Sequence, residues 1–162
     1  MLAPALKRLD LHAAREEDLA AALSLVTGEQ QKNPWLGRMP ELLKGAVSKP
    51  DGEYRACVAI RDGELIGFGS FGVVAGTLAT GAIYGVIVAP RSRRAGIGQR
   101  ILFHIAGELA NAGVRVIFAE VPGDPSVMRY RALLLSYGFM EEARIDDYYR
   151  DGVPQIISRF DL

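Results

Sequence analysis

The sequence predicts a mixed α/β protein built on one sheet, and three observations predict it. Three consecutive β-rich runs occupy residues 54–89 with a tight-turn signal between the first two, which places an antiparallel meander in mid-chain. An amphipathic helix at 96–112 then feeds a short, almost wholly apolar run at 114–121, the pattern of a buried strand paired in parallel. The 162 residues are 49% apolar and 23% charged. That suits one domain over residues 1–162, because two would each be small for a core of their own.

Residues 6–12 half-alternate and read as a first strand. A helix follows at 15–26, with Leu19, Leu23 and Val26 at helical spacing. Glu16, Glu17 and Asp18 stand in its first turn, where the helix dipole favours acids, and Thr27-Gly28 ends it. Asn33-Pro34 opens a second helix reaching Val47, and Lys49-Pro50-Asp51-Gly52 is a turn. Strands at 54–60 and 65–74 are joined by Arg61-Asp62-Gly63-Glu64. Gly67, Gly69 and Gly72 in the second of them mark bends or close backbone approach. The third run, 82–89, ends at Pro90. In the helix at 96–112, Ile97, Ile101, Leu102, Ile105 and Leu109 form one face, with Arg100, His104, Glu108 and Asn111 on the other. After the apolar strand at 114–121, a helix at 125–137 stops at Gly138, and strands at 139–145 and 153–160 close the chain around Asp151-Gly152.

Charge and composition exclude several classes of function. Nineteen basic residues balance nineteen acidic ones, which argues against a nucleic-acid binder or a membrane-surface protein. One cysteine, Cys57, and two distant histidines, His12 and His104, offer neither a disulfide nor a metal site. The longest nearly apolar run is too short for a bilayer, and the first ten residues do not read as a signal peptide, so a cytoplasmic location is expected. The distribution of charge is more telling than its total. No acid lies between Glu64 and Glu108, while Arg91, Arg93, Arg94 and Arg100 fall inside that interval. A local cationic site on a neutral protein points to a small anionic ligand.

The sharpest feature is a strand, then Pro90-Arg91-Ser92-Arg93-Arg94-Ala95-Gly96-Ile97-Gly98-Gln99-Arg100, then a helix. Glycines let the backbone approach an anion, and the helix start offers unpaired N–H groups at its positive end. The competing reading is a glycine-containing turn with solvated arginines. A nucleotide-hydrolysing P-loop needs Gly-Lys-Ser/Thr, but Gln99 and Arg100 follow Gly98. A dinucleotide fold needs a third glycine where Ile101 stands, and the preceding meander also counts against it, although Glu120 is suitably spaced.

Val86-Ile87-Val88-Ala89-Pro90, then Arg93-Arg94-Ala95-Gly96-Ile97-Gly98, resembles the acetyl-CoA motif of the GCN5-related N-acetyltransferases, V-x-P followed by Q/R-x-x-G-x-G/A. The order of elements fits from Leu6 to Phe160, specifically in the middle and weakly before Tyr54. The resemblance implies a GNAT-like acyl-CoA N-acyltransferase fold: an antiparallel meander, then a splayed parallel strand pair with flanking helices. It implies that acetyl-CoA lies against the backbone of Val86, Ile87 and Val88 and on the loop of Arg93, Arg94, Ala95, Gly96, Ile97, Gly98 and Gln99. A bulky residue at Gly98 is then expected to block the pyrophosphate and leave the fold intact. The implied chemistry is direct acyl transfer to an amine. A lysine-like amine has a reference pKa of about 10.4 and a peptide α-amine about 7.7–8, so a base must assist at neutral pH.

Glu120, at the end of the parallel strand, is the candidate base, a solvated strand-end glutamate being the competing reading; Tyr84 on the neighbouring strand lines the amine pocket or simply packs. Relatives often carry Asn, then Tyr-x-x-x-Gly-Phe, the tyrosine serving as acid. Here Ser136-Tyr137-Gly138-Phe139 matches the end, but Leu134 holds the tyrosine position and Val127 the asparagine's. Tyr130, one turn earlier, is the candidate replacement acid, with core packing the competing reading. Ser126 or Asp124 can take over the asparagine's polar contacts. Tyr148-Tyr149 before Asp151-Gly152 resembles the Tyr-Tyr segment of the ribosomal-protein-alanine N-acetylating branch, which implies a part in acceptor binding. The acceptor is a small-molecule amine, an amino acid or a peptide or protein N-terminus, and a homodimer is compatible with the sequence. The departure at Leu134 motivates an alternative: a catalytically degenerate acyl-CoA-binding or sensing domain.

Overall fold

A computed structural model describes residues 8–162. Strand β1 (Leu9–Ala13) pairs antiparallel with β2 (Tyr54–Arg61), and β3 (Glu64–Val73) and β4 (Thr80–Val88) continue the meander. Parallel to β4 runs β5 (Val116–Pro122). The last hairpin, β6 (Met140–Arg150) and β7 (Val153–Asp161), folds back so that β7 pairs with β5 and β6 forms the edge. The sheet order is β1-β2-β3-β4-β5-β7-β6. Helices α1 (Glu16–Gln30) and α2 (Met39–Ser48) cover one face, and α3 (Ile97–Asn111) and α4 (Met128–Tyr137) the other. The mixed α/β class, the meander and the parallel β4–β5 pair are therefore those the sequence predicts.

Each face has its own apolar core. Ala22, Val26 and Leu43 from α1 and α2 meet Val58, Phe68 and Ile87. On the opposite face Ile97, Ile101, Leu102, Ile105 and Leu109 of α3, the predicted stripe, are all buried. That helix lies unusually close to β3. A Cβ on Gly69 would stand 2.6 Å from Ile105 Cδ1, so the glycine in this strand is a contact surface for the helix. Asp62 and Gly63, with φ of 53° and 77°, form the left-handed pair that a two-residue hairpin demands.

Several predicted boundaries move. Thr27-Gly28 does not stop α1, which continues to Gln30. Thr27 Oγ1 donates to Leu23 O at 2.8 Å inside the helix, and Glu29 in the last turn pairs with Arg93. Tertiary contact thus overrides a glycine that costs about 1 kcal/mol in a helix. The predicted second helix is two pieces. Asn33 caps a 3-10 turn, Pro34–Leu36, by accepting from Trp35 N–H, and α2 begins only at Met39. Strand β6 runs five residues past Ile145, with an irregular stretch between Ile145 and Arg150 and a left-handed Asp147. Residues 6 and 7 of the predicted first strand, and 1–7 of the segment considered as a leader, lie outside the described residues. Among the described residues no helix is long and apolar enough to cross a membrane.

Candidate active site

The site begins where two strands part. Parallel pairing of β4 with β5 runs from Thr80 opposite Val116 to Ile83 opposite Ala119 and stops there. On its other side β4 pairs Ile83 with Phe71 and then Gly85 with Ser70, leaving Tyr84 as an extra, unpaired residue. Such a bulge bends a strand and re-aims its side chains. Beyond it, residues 85–88 pair only with β3, and residues 120–122 only with β7. The divergence opens a cavity of about 660 Å³ between the strands, within the range of small-molecule sites.

Backbone polarity turns this gap into a recognition surface. Ala89 N–H donates to Ile66 O at 2.8 Å, so the ladder alternation directs the N–H and C=O groups of Val86 and Val88 away from β3 and into the gap. A 3-10 turn, Pro90–Ser92, then leads to Arg94 and Gly96, both left-handed, with φ of 62° and 72°. Gly96 is the N-cap of α3 and supplies no side-chain cap, so the first N–H groups of the helix face the cavity without a side-chain partner. The surrounding arginines are not equivalent. Arg93 donates from Nε to Val88 O at 3.1 Å and pairs through Nη2 with Glu29 at 2.8 Å. Arg91 pairs with Glu64 at 2.5 Å, and Arg94 is exposed with no ion pair among the described residues.

Helix α4 forms the opposite wall. Gln99 Nε2 donates to Ser136 Oγ at 2.5 Å and ties the start of α3 to it. Gly98 has a role that the sequence did not reveal: its missing Cβ would stand 2.8 Å from Leu133 Cδ2. A bulky residue there would displace the tip of the Leu133 side chain on α4 as well as meet a ligand. Leu134 is fully buried, and Val127 nearly so. Tyr130 lines the cavity, and its hydroxyl is buried with no hydrogen-bond partner in the protein. Burial raises its pKa, so the group remains a donor.

On the far side of the sheet, Glu120 is the first β5 residue past the divergence, exposed, and accepts a hydrogen bond from Gln155 Nε2 at 2.9 Å. Gln155 itself is buried. Burial raises the pKa of both Tyr84 and Tyr149, and Glu120 adds to each shift. Trp35 leans on Tyr149 at 5.1 Å between ring centres and donates from Nε1 to Ser126 Oγ at 3.2 Å. Ser126 in turn donates to Asp124 Oδ1 at 2.6 Å, a contact that lowers the Asp124 pKa.

The structure brings Tyr84, Val86, Ile87 and Val88 to the cavity, with Arg93, Arg94, Gly96, Ile97, Gly98 and Gln99 from the loop and helix start. Glu120, Ser126, Tyr130 and Tyr149 join them from the other walls. It leaves out Ala95, which is exposed, and Tyr148, which packs edge-on against the outer side of Tyr149. Sequence reasoning missed Trp35, Glu29 and Gln155. Trp35 followed a recognisable Asn-Pro turn, but nothing local pointed to the other two. Among the described residues no group of three metal-ligating side chains converges. The cavity suits a pantetheine-linked diphosphate: exposed strand backbone for amides, uncapped helix N–H groups and an arginine for phosphate, and an orphan hydroxyl midway.

Residues 13–133 match the model of the acetyltransferase (GNAT) family. Several solved structures share the fold. A Desulfovibrio desulfuricans protein assigned to the GNAT acetyltransferases superposes with a TM-score of 0.86 at 23% identity, over 95% of this chain and 99% of that one. A ribosomal-protein-alanine N-acetyltransferase from Brucella melitensis gives 0.76 at 23%, over 94% and 99%. The Salmonella typhimurium protein yncA, assigned as an acetyltransferase and solved with its cofactor acetyl-CoA, gives 0.75 at 18%, over 95% and 94%. No curated protein matches the chain at the level of sequence.

Proposed function

The chain belongs to the acetyltransferase (GNAT) family, and from that premise we propose that it transfers the acetyl group of acetyl-CoA directly to a primary amine. The observation that carries this reading is the parting of β4 and β5 at the Tyr84 bulge, beside the uncapped start of α3. Val86 offers its strand N–H and C=O and Val88 its N–H to the pantetheine arm, and the first turn of α3 with Arg94 offers donors to its phosphates. Gln99 and Ser126 shape the walls. Bound acetyl-CoA supplies an activated thioester carbonyl.

Glu120 takes the proton from the incoming amine, directly or through water, and Gln155 holds one of its carboxylate oxygens in place. Tyr130 offers its hydroxyl to the departing sulfur. Since burial raises its pKa, it acts as a hydrogen-bond donor, and a thiolate of reference pKa about 8.5 leaves readily without a full proton transfer. Tyr84, Tyr149 and, from outside, Tyr148 form the aromatic mouth through which the acceptor enters. The acceptor is a small-molecule amine, an amino acid or a peptide or protein N-terminus; the Brucella structure is named for a ribosomal-protein alanine.

Acetyl-CoA consumption measured against a panel of primary amines tests this reading. Glu120→Gln should keep CoA affinity and lose about 10²–10⁴-fold in turnover. The loss should shrink as pH rises toward the pKa of the amine, because more of the acceptor then arrives neutral. A wild-type rate in this variant at every pH would move the base elsewhere. Tight CoA binding without turnover on any amine would favour a sensing domain, the alternative that the buried Leu134 suggests.

A further inference from the structure

The motif arginine that opens the phosphate loop has both ends of its guanidinium occupied. Arg93 Nε donates to Val88 O, the last carbonyl of β4, and Nη2 reaches Glu29 Oε2 in the last turn of α1 at 2.8 Å. The Glu29 side chain is only 15% exposed and that of Arg93 30%. Removing either member would leave a poorly solvated charge behind. The pair therefore joins three elements, the end of β4, the loop and α1, at the wall of the cavity. Immediately after it the backbone enters the left-handed region at Arg94, a non-glycine residue, and again at Gly96. A side chain in that region is strained unless its surroundings hold it there. Left-handed residues in such a stretch are a component of anion-binding nests.

We propose that Glu29 and Arg93 form a brace that sets the geometry of the phosphate loop, so that Arg93 is a positioning residue and Glu29 an unrecognised part of the CoA site. Phosphate charge then falls to the loop N–H groups and to Arg94, which has no ion pair among the described residues. The brace also explains why α1 continues past Gly28: the helix must deliver Glu29. This inference rests on the reading of the cavity as a CoA site.

Two substitutions separate a brace from a phosphate contact because they predict opposite signs. Glu29→Gln removes a negative charge beside an anion site. Simple electrostatics then predicts tighter binding, whereas loss of the brace predicts weaker binding, by about five- to tenfold. Arg93→Lys keeps the charge, but a single ammonium cannot reproduce the guanidinium's two-sided reach. A brace predicts that lysine fails to rescue; a phosphate contact predicts that it does. Arg94→Lys, in contrast, should retain most of the affinity, and Arg94→Gln should flatten its salt dependence while Arg93→Gln should not.

The measurement is calorimetric titration of coenzyme A into each folded variant at two salt concentrations, with melting temperatures as a check on folding. Glu29→Gln is isosteric and keeps the test valid even where an Arg93 variant folds poorly. Equal or tighter CoA binding by Glu29→Gln, or restoration of affinity by Arg93→Lys, would overturn the brace while leaving the CoA site intact. Absence of CoA binding by the wild-type protein would instead overturn the reading of the cavity, and the brace with it.

Discussion

Tyr130 places a hydroxyl in the protein interior without a partner, at a cost of about 1–3 kcal/mol for an unsatisfied buried group. That cost gives the residue a diagnostic signature. Tyr130→Phe should leave the unliganded protein as stable or raise its stability by about 1 kcal/mol, read from the urea midpoint. If the hydroxyl serves the departing sulfur, the same variant should lose turnover while CoA affinity changes little. A drop in stability would show that the hydroxyl is bonded within the protein and that Tyr130 is a core residue only. At this scale the site was legible wherever chemistry depends on local backbone. The Gly96–Gly98 turn and the arginines could be read from neighbouring residues alone, whereas Glu120 was singled out through the family resemblance. Arg93's partner could not, because Glu29 lies on a distant helix and a glutamate late in an amphipathic run looks like any solvated one. Gln155 was equally silent: a buried glutamine in a strand is intelligible only once the neighbouring strand brings Glu120 within hydrogen-bond reach.

Among the elements, the meander and α3 were legible because their signals reinforce one another. The Asp62-Gly63 turn sets the β2–β3 register as far as Ile60 opposite Leu65, where a bulge shifts it by one residue, and the apolar stripe of α3 meets a strand kept thin by Gly69. Gly63 has φ of 77° with open space around its missing Cβ, so a substitution there meets strain alone. Gly63→Ala should therefore lower stability by about 1–2 kcal/mol with an unchanged urea m-value. A changed m-value would mean that the hairpin had shifted register instead. The Tyr84 bulge was not legible. Apolar residues run without interruption through β4, so the alternation that would expose a one-residue slip is missing. The segment carrying Trp35 failed for a related reason. Its position is set by contacts with Ser126 and Tyr149 across the cavity, and no periodicity precedes them.

Over the whole molecule, the two cores meet through the sheet, and the cavity lies where β4 and β5 part. Its lining comes from α3 and α4 on one side and from Trp35 and Tyr149 on the other, so the cavity is reached without breaching either core. The α3-side core contains the only thiol, Cys57 of β2, which is fully buried. Burial pushes its pKa from an ordinary 9.0 up to about 12. Only the neutral thiol fits the core, so the unfolded chain ionises first as pH rises. The stability this represents is fully present below pH 9 and is lost between about pH 9 and 12, at up to about 1.4 kcal/mol per pH unit. Buried tyrosines add a loss of the same sign only above their ordinary value of 10.0, which leaves a window from pH 9 to 10 for the thiol. Across that window the melting temperature of the wild-type protein should fall more steeply than that of Cys57→Ala. The substitution will lower the melting temperature at every pH by leaving a small cavity, so the slopes are compared rather than the values. Alkylation by iodoacetamide at pH 8 should be negligible in the folded protein and rapid in urea. Parallel slopes, or ready labelling of the folded chain, would place Cys57 in contact with solvent and remove it from the core beneath α3.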